Sequence, residues 1–460
     1  MNNFRSHQVT PSTKLGTPFG RRLPLACPDL KSGFNRPGQA GHRFRSIPVT
    51  WCLGVLVSCV FLTMLTGAAS RSKVYIKKLR NSHYQLIVNR KPYIVKGVCY
   101  NPIPIGANYE YDWWSDPNKP WIADGKLMKE MGINTIRIYQ PGTNIEAVKN
   151  VIRDLYRLYG IRTILGHWLC FWEYPCPFYG DRDFQEKVKK EVLEMVSAYK
   201  DEEGLLLWIL GNENNYSFAG RVNPWSNEEV DQEPDPQKQR CLRAKIYYSF
   251  VNELIKEIKH IDPYHPVALG NGELVGLEMA NEFCPNADLV ACIIYRGKSF
   301  GNIFNSLRQI FDRPIVLSEF GADSYDAYLK KEDQNMQAFF LEAQWRQIYE
   351  NLAGNKEGAG NCLGGTIFEW TDEWWKHFEW APESWPVHDL GSNWSNGSYY
   401  FDIKAEGNKN MNEEWFGIVA LSEELDNGVN KRIPRKAYYV LREFWKHPVL
   451  SQKAKAKRQK

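Results

Sequence analysis

Beyond residue 95, apolar residues occur in eight short continuous runs, separated by segments in which they are spaced as on one face of a helix. A strand with one exposed face alternates apolar and polar residues, whereas a continuous apolar run is typical of a strand buried on both faces. The pattern therefore predicts eight buried strands. They are Lys96–Asn101, Ile133–Gln140, Arg162–Leu169, Leu205–Asn214, Val267–Gly272, Leu289–Arg296, Ile315–Gly321 and Gly364–Trp374.

Helical patterns fill most of the intervals between these runs. Interposed helices make successive strands parallel, so eight such units predict an α/β chain folded as a (β/α)₈ barrel. A doubly wound open sheet is the alternative. It would be expected to carry a glycine-rich phosphate loop after an early strand, and neither GxGxxG nor GxxxxGK[ST] occurs. The helical segments are Ala123–Met131, Ile145–Leu158, Phe184–Tyr199, Arg243–Ile258 and Met336–Leu352.

The chain outside the barrel divides into shorter segments. Residues 1–48 are rich in Pro, Gly, Ser and Arg without periodicity, which predicts a disordered basic segment. Residues 73–95 alternate apolar and polar positions around a turn at Asn89–Pro92, which predicts a small β-hairpin before the barrel. The barrel domain is expected over 96–446, and a basic tail over 447–460.

Residues 49–69 contain no charged residue and are long enough to cross a bilayer as a helix. Basic residues precede them, which places the N-terminus in the cytoplasm and the main domain across the membrane. We expect an uncleaved signal anchor of a single-pass membrane protein. A signal peptide cut near residues 67–70, giving a secreted or periplasmic protein, and an organelle transit sequence are the alternatives.

Charge is unevenly distributed over the 460 residues. The net charge is +5, but residues 1–71 hold nine Lys or Arg and a single acid, Asp29, so the remainder is slightly acidic. A nucleic-acid binder carries its positive excess on the folded domain, so no nucleic-acid partner is expected. Seventeen tryptophans make aromatic stacking on sugar rings a possibility beside ordinary core packing.

Neither the cysteines nor the histidines have metal-binding spacing, and no HExxH occurs, so no metal and no cofactor are predicted. Cys99 and Cys292 lie within apolar runs and are expected to be buried thiols. Cys170 and Cys176 flank an aromatic loop and are candidates for a disulfide in an oxidising compartment. Oligomeric state is left open.

Polar residues stand at the predicted carboxyl ends of the strands, where barrel enzymes place their catalytic groups. Glu213 and Glu319 end two very apolar strands, the fourth and the seventh, and burying a carboxylate there is costly unless it is used or partnered. Two carboxylates across a barrel mouth are what glycoside cleavage requires. The other polar and aromatic residues at strand ends are Tyr100, Asn101, Arg137, Tyr139, His167, Trp168, Asn212, Asn271, Tyr295, Arg296 and Trp370.

Three of the motifs, NTIRIY, GNENN and SEFGA, resemble those of the clan A retaining glycoside hydrolases. The resemblance implies that Glu213, which follows Asn212, is the acid/base and that Glu319 is the nucleophile. It also implies that Arg137 and Tyr295 support the nucleophile and that Trp370 forms the floor of the first sugar site. The resemblance covers roughly residues 94–445.

Within that clan, KGVCYNP, RPIVLSEFGAD and GGTIFEWTDEWW are similar to the barrel domain of glycoside hydrolase family 2. GVCYNP, LMKEMGINTIRIY and GNEN also resemble the fungal β-1,3-glucanosyltransferases, which elongate glucan. The implied function is a retaining β-glycoside hydrolase acting on an extracytoplasmic oligo- or polysaccharide. A transglycosylase that remodels a cell-surface glucan is the alternative, and a non-catalytic carbohydrate-binding barrel is a third reading.

Individual residues carry narrower expectations. Asn212 is predicted to bind the sugar 2-hydroxyl, and His167 either touches the sugar or supports the loop of Glu213. Tyr100 and Asn101 are further candidates for substrate contact. Asp372 and Glu373 are expected in a solvated loop after the last strand. A sequon at Asn215 lies beside Glu213, and we expect it to stay unmodified because a glycan there would block the site.

Overall fold

A computed structural model describes residues 73–171, 178–219, 225–327, 329–391 and 411–448. The predicted disordered segment 1–48, the predicted membrane anchor 49–69 and all but the first two residues of the tail 447–460 lie outside these ranges. Within the described ranges, no helix combines the length and apolarity that a membrane span requires.

Eight parallel strands close into a barrel, which confirms the predicted fold. Every pair around the ring is parallel, including the pair that joins the last strand to the first. In ring order the strands are β4 (Val95–Cys99), β5 (Thr135–Ile138), β6 (Arg162–His167), β7 (Leu205–Leu210), β8 (Val267–Gly272), β9 (Leu289–Ile293), β10 (Ile315–Phe320) and β13 (Cys362–Ile367). All eight lie within or next to the eight apolar runs of the sequence.

Helices join the barrel strands, and the five predicted helical segments all lie in or overlap one of them. Helix α2 shows how the sequence sets the bounds, because the Asn144 side chain accepts a hydrogen bond from the Ala147 N–H at its start and Gly160 takes a left-handed conformation at its end. The helices are α1 (Pro120–Met131), α2 (Ile145–Tyr159), α3 (Arg182–Tyr199), α4 (Glu228–Asp231), α5 (Pro236–Ile261), α6 (Leu277–Phe283), α7 (Ile303–Ile310), α8 (Gln334–Glu350) and α9 (Lys436–Lys446).

The predicted hairpin before the barrel is a three-stranded antiparallel sheet. Its strands are β1 (Val74–Lys78), β2 (Tyr84–Val88) and β3 (Lys91–Tyr93). Asn89 and Arg90 form the predicted tight turn, both with positive φ, but a second turn at residues 79–83 divides the first half of the segment. Alternation of apolar and polar positions is the same in two strands as in three, so it could not reveal this turn.

This small sheet covers the amino-terminal end of the barrel. The Val74 N–H bonds to Tyr264 O, the Tyr84 N–H bonds to Gly360 O, and the Tyr84 hydroxyl donates to Asp312. These partners all lie shortly before barrel strands. The apolar face of the sheet joins a hydrophobic core cluster with residues of the barrel strands, so this end is filled by side chains. The small sheet therefore leaves uncovered the opposite, carboxyl-terminal rim, where the polar strand ends lie.

Two small antiparallel pairs complete the described fold. Strands β11 (Tyr325–Asp326) and β12 (Lys331–Glu332) follow β10, and strands β14 (Val419–Asp426) and β15 (Val429–Pro434) precede α9. A parallel bridge between Thr371 and Val419 joins the segment after β13 to β14.

The cysteines correct one expectation. Cys99 and Cys292 are buried thiols, as predicted. Cys170 is also a thiol, and it donates a hydrogen bond to Glu191, so the candidate pair with Cys176 is not formed in this structure. Cys241 is disulfide-bonded instead. Spacing along the chain failed here because a disulfide depends on the distance between Cβ atoms, which the fold decides.

Candidate active site

Glu319 is the penultimate residue of β10, near the carboxyl-terminal rim. It is held by two side chains, those of Arg137 on β5 and of Tyr295 just after β9. Its side chain is 10 % exposed, and Arg137 Nη1 lies 2.8 Å from its Oε1. The Tyr295 hydroxyl donates to Oε2 at 3.1 Å. Each oxygen of the carboxylate therefore has its own donor, which fixes the orientation of the group.

Arg137 connects the two glutamate-bearing strands. It donates to Glu319 and Ser318 O on β10 through Nη1, and to Asn212 Oδ1 through Nη2 at 2.6 Å. Burial acts to lower its pKa, but the neighbouring Tyr139 and Glu319 outweigh burial and raise it, so the guanidinium stays charged. One buried cation thus sets the position of both the predicted nucleophile and the residue before the predicted acid.

Tyr295 remains a hydrogen-bond donor. Burial raises its pKa well above the ordinary value, and the negative charge of Glu319 adds to this effect. The hydroxyl therefore keeps its proton and can only donate to the carboxylate.

The loop after β7 carries Glu213 and is fastened on both sides. Gly211 has φ of +83°, and a Cβ there would meet Tyr247 Oη at 2.5 Å, so this turn requires glycine. Beyond it, the Asn212 N–H donates to Asn214 Oδ1 at 2.6 Å, and Asn214 in turn donates to Trp168 O. The loop presents Glu213 as a partly exposed residue at the rim, and two strands, β8 and β9, lie between its strand β7 and the strand of Glu319.

Another close approach joins β10 to β13. A Cβ on Gly321 would lie 2.1 Å from Phe368 O, so only glycine allows the two strand ends to meet. The Phe368 ring then packs edge-on against Tyr295, with 6.4 Å between centroids, and against Phe416. Phe368 is the aromatic side chain after β13 that reaches the Glu319 group. Sequence reasoning missed it, and the GGTIFEW motif was its only signal.

Trp370, which the resemblance assigns to the floor of the sugar site, lies elsewhere. Its side chain is 0 % exposed, and its ring is 6.5 Å from that of Tyr438 on α9. It offers no surface to a sugar in this structure. The chain leaves the regular strand at Ile367, so alternation along β13 does not give the direction of later side chains.

Tyr139 and Trp168 form an aromatic stack close to Glu319. Their rings are stacked at 4.9 Å with an angle of 15°, and Arg137 lies 4.2 Å above the Tyr139 ring. Both residues are partly exposed. Stacked aromatic faces of this kind can carry the apolar face of a sugar.

Two further predicted contact residues pack into the interior. The Tyr100 hydroxyl donates to Asp124, which is also paired with Arg432, and Tyr100 is buried. His167 is also buried, and its Nδ1 accepts a hydrogen bond from the Leu169 N–H. His167 thus supports the turn after β6. Tyr100 supports the ion pair of Asp124 and Arg432 behind the site.

Asn101 belongs to a charged group that the sequence did not predict as a unit. Its Nδ2 donates to Glu373 Oε1 at 3.3 Å, and Glu373 Oε2 is 2.9 Å from Lys376 Nζ. Glu413 Oε2 lies 3.8 Å from the same Nζ. We call these four residues the Lys376 cluster.

The expectation of a solvated loop for Asp372 and Glu373 is wrong. Both side chains are buried. Asp372 receives two hydrogen bonds from Arg435, at 2.6 and 2.7 Å, and Glu373 is held in the Lys376 cluster. The cation that pairs with Asp372, Arg435, lies far along the chain, and the one that pairs with Glu373, Lys376, lies three residues on, outside the TDEWW motif. A local reading of TDEWW therefore missed both.

The described residues contain no group of three or more His, Cys, Asp or Glu side chains arranged to hold a metal ion. Of the residues predicted for the site, the structure brings together Arg137, Asn212, Tyr295 and Glu319 through direct contacts. Their roles in a reaction remain predictions.

The fold and this set of contacts define a (β/α)₈ barrel with two glutamates at one rim. No family model matches the chain. By sequence, mannan endo-1,4-beta-mannosidase 5 and mannan endo-1,4-beta-mannosidase 1 of Solanum lycopersicum are similar, each 24% identical over 182 and 184 residues respectively. These matches cover 37% of this chain and 42% and 43% of the relatives, so the chain spans about two-fifths of their length.

By structure, a Bacteroides uniformis beta-glucuronidase is similar, with a TM-score of 0.50 and 16% identity. That match covers 79% of this chain and 38% of the other, and it supports the barrel fold. A beta-D-glucuronidase of Dictyoglomus thermophilum has a TM-score of 0.49 and 15% identity, covering 82% of this chain and 53% of that one. The two sequence relatives are glycosidases by name, in agreement with the resemblance drawn from the motifs.

Proposed function

We propose that this chain is a retaining glycoside hydrolase that cleaves a β-linked carbohydrate with Glu319 as nucleophile and Glu213 as acid/base. The observation that carries the proposal is the double restraint of Glu319. A buried carboxylate whose two oxygens face Arg137 and Tyr295 is oriented and placed at the rim where barrel enzymes act. A second glutamate on the same rim supplies the proton donor that such a nucleophile needs.

The proposed reaction has two displacements. In the first, a Glu319 oxygen bonds to the anomeric carbon while the bond from that carbon to the leaving oxygen breaks, and Glu213 gives its proton to the leaving oxygen. In the second, Glu213 takes a proton from water, the water oxygen bonds to the anomeric carbon, and the ester bond to Glu319 breaks. Two inversions return the original configuration at the anomeric carbon.

Asn212 and Tyr295 have matching roles in this scheme. The Asn212 side-chain oxygen is held by Arg137, so its amide N–H₂ group is left to point at a sugar hydroxyl next to the reacting carbon. Tyr295 holds the attacking carboxylate and cannot compete as a base because its pKa is raised. The stacked Tyr139 and Trp168 rings provide an apolar face for the sugar.

The substrate is proposed to be an extracytoplasmic β-glycan. The names of the sequence relatives favour a β-1,4-mannan, and the likeness of GVCYNP to glucanosyltransferases favours a β-1,3-glucan. The disulfide of Cys241 supports an oxidising compartment. An uncharged segment at 49–69 supports attachment to a membrane by a signal anchor, with the barrel outside the cytoplasm.

The test uses the full chain with defined β-1,3-glucan and β-1,4-mannan oligosaccharides. Product lengths are read by mass spectrometry, and the configuration of the first product is read by proton NMR. Shorter products with retained configuration are the expected result. Products longer than the input would assign the chain to glycosyl transfer, and inverted products would contradict the proposed role of Glu319.

Two variants test the residue roles. Glu319→Gln and Glu213→Gln should each lower kcat by at least about a hundredfold, because general acid–base and nucleophilic groups contribute rate factors of this size or more. Glu424→Gln is the matched control, since it removes an exposed carboxylate paired with Lys431. Substantial activity in Glu319→Gln would remove the mechanism.

A further inference from the structure

The Lys376 cluster lies next to the predicted nucleophile, although no motif pointed to it. Glu413 interacts electrostatically with Glu319 and with Tyr295. Lys376 Nζ is 5.6 Å from the centre of the Phe368 ring, which itself packs against Tyr295. These contacts place the Lys376 cluster beside the residues that hold Glu319.

Glu369 adds an unsatisfied polar atom to the same place. Its side chain is 1 % exposed, and among the described residues no group lies within hydrogen-bonding distance of Oε1. Its carboxyl interacts electrostatically with Glu373 and Lys376, so it lies close to the cluster. Burial, together with the charge of Glu373, raises its pKa well above the ordinary value, so the group carries a proton. A buried polar atom without a partner is costly unless a ligand completes it.

Acidic side chains outnumber basic ones in this region, because Glu319, Glu373 and Glu413 face Arg137 and Lys376. Burial raises the pKa of Glu413, and the neighbouring Lys376 acts to lower it. Burial acts to lower the pKa of Lys376, but Glu373 and Glu413 outweigh burial and raise it, so the ammonium is charged and fully committed to its acidic neighbours. It is not available as an uncompensated cation for an anionic ligand.

The hydrogen-bonding capacity of the region fits a hydroxyl. Glu373 and Glu413 only accept, whereas Lys376, Asn101 and protonated Glu369 have donors. A sugar hydroxyl both donates and accepts, so neighbouring hydroxyls can bond to a carboxylate and to a donor at once. A sugar carboxylate only accepts, so it would meet the acceptors of Glu373 and Glu413 unsatisfied and with like charge.

We propose that the Lys376 cluster and Glu369 form a subsite that binds hydroxyl groups of an uncharged glycosyl unit and rejects a uronosyl unit. The inference rests on the proposed glycoside hydrolase function and defines the substrate class of that site. Two structural neighbours are named beta-glucuronidases. The subsite proposed for this chain would, in contrast, exclude a uronosyl unit.

The experiment measures kcat/KM of the full chain on pairs of 4-nitrophenyl β-glycosides that differ only at carbon 6. Each of glucose, galactose and mannose is paired with its uronic acid. The wild type should prefer the uncharged member by at least tenfold. Glu373→Gln, Glu413→Gln and the double variant should lower this preference, the double variant by about tenfold or more, because two negative charges near the sugar are removed. Glu424→Gln, which removes a Lys-paired carboxylate on the surface, should leave it unchanged.

The outcomes separate this inference from the proposed function. Equal or better cleavage of the uronides by the wild type would overturn the inference and leave the hydrolase standing. An unchanged preference in the folded double variant, checked by circular dichroism, would also overturn it. If no glycoside were cleaved, the hydrolase would fail. Stronger thermal stabilisation by uronic acid oligosaccharides than by neutral ones would then overturn the inference independently.

Discussion

Arg137 is the residue whose replacement tests the site most directly, and Arg137→Lys keeps its charge. Arg137 makes three hydrogen bonds through two nitrogens, to Glu319, Ser318 O and Asn212. Lysine has a single nitrogen, so it can stay beside Glu319 but cannot also reach Asn212. The substitution therefore removes the link between the two strands that carry the glutamates.

The expected loss of kcat/KM follows from the lost hydrogen bond between Arg137 and Asn212. A hydrogen bond from a charged donor contributes about 1.5–3 kcal/mol. If this loss falls on the transition state, kcat/KM should drop about ten- to hundredfold, since 1.36 kcal/mol corresponds to a factor of ten. The free energy of unfolding should fall by a similar amount, because the Asn212 oxygen loses its buried donor.

A matched control exists in the same barrel. Arg435 is also buried and binds Asp372 through two nitrogens, at 2.6 and 2.7 Å, but it has no contact with Glu319 among those described. Arg435→Lys should destabilise the protein to a comparable extent and leave kcat/KM of the folded protein within about threefold of wild type.

The assay combines urea unfolding, followed by tryptophan fluorescence, with kcat/KM on the glycoside identified above, at a temperature where both variants are folded. Unchanged kcat/KM in Arg137→Lys would refute the positioning argument. An equal loss of kcat/KM in Arg435→Lys would refute it as well, because the effect would then come from general destabilisation.

Two further predictions concern other buried polar groups. Burial raises the pKa of Glu414 to about 8, against an ordinary value of 4.5, so the folded state binds this proton more tightly. The contribution of Glu414 to stability should be fully present below pH 4.5 and be lost as the pH rises through about 8. Glu414→Gln should make this slope shallower in urea titrations at several pH values, and an unchanged slope would count against the assignment. Asn215 is buried, with its amide donating to Gly272 O and Val275 O and accepting from the Gly272 N–H, so it should carry no glycan after expression in a glycosylating host. Peptide mass spectrometry that finds a glycan on Asn215 would show that this loop is not packed as described.

Local patterns were enough for the architecture. A strand buried on both faces must be apolar throughout and a helix that covers it must be apolar on one face, so the eight runs and their intervening helices predicted the barrel correctly. The contacts of Arg137, Tyr295 and Glu319 also agree with the sequence, because the carboxyl ends of all strands of a parallel barrel lie at one rim, where side chains can meet across the barrel mouth.

What the sequence by itself determined is therefore the barrel and the strand ends that carry Glu213 and Glu319. Only the tertiary structure decided the side-chain directions beyond the strands, which placed Phe368 rather than Trp370 against Tyr295. It also decided the Lys376 cluster, where Asn101 and Glu413 come from opposite ends of the domain. Periodicity describes repeated backbone geometry, whereas partners in irregular segments are chosen by distance, charge and burial in three dimensions, and no local pattern contains these.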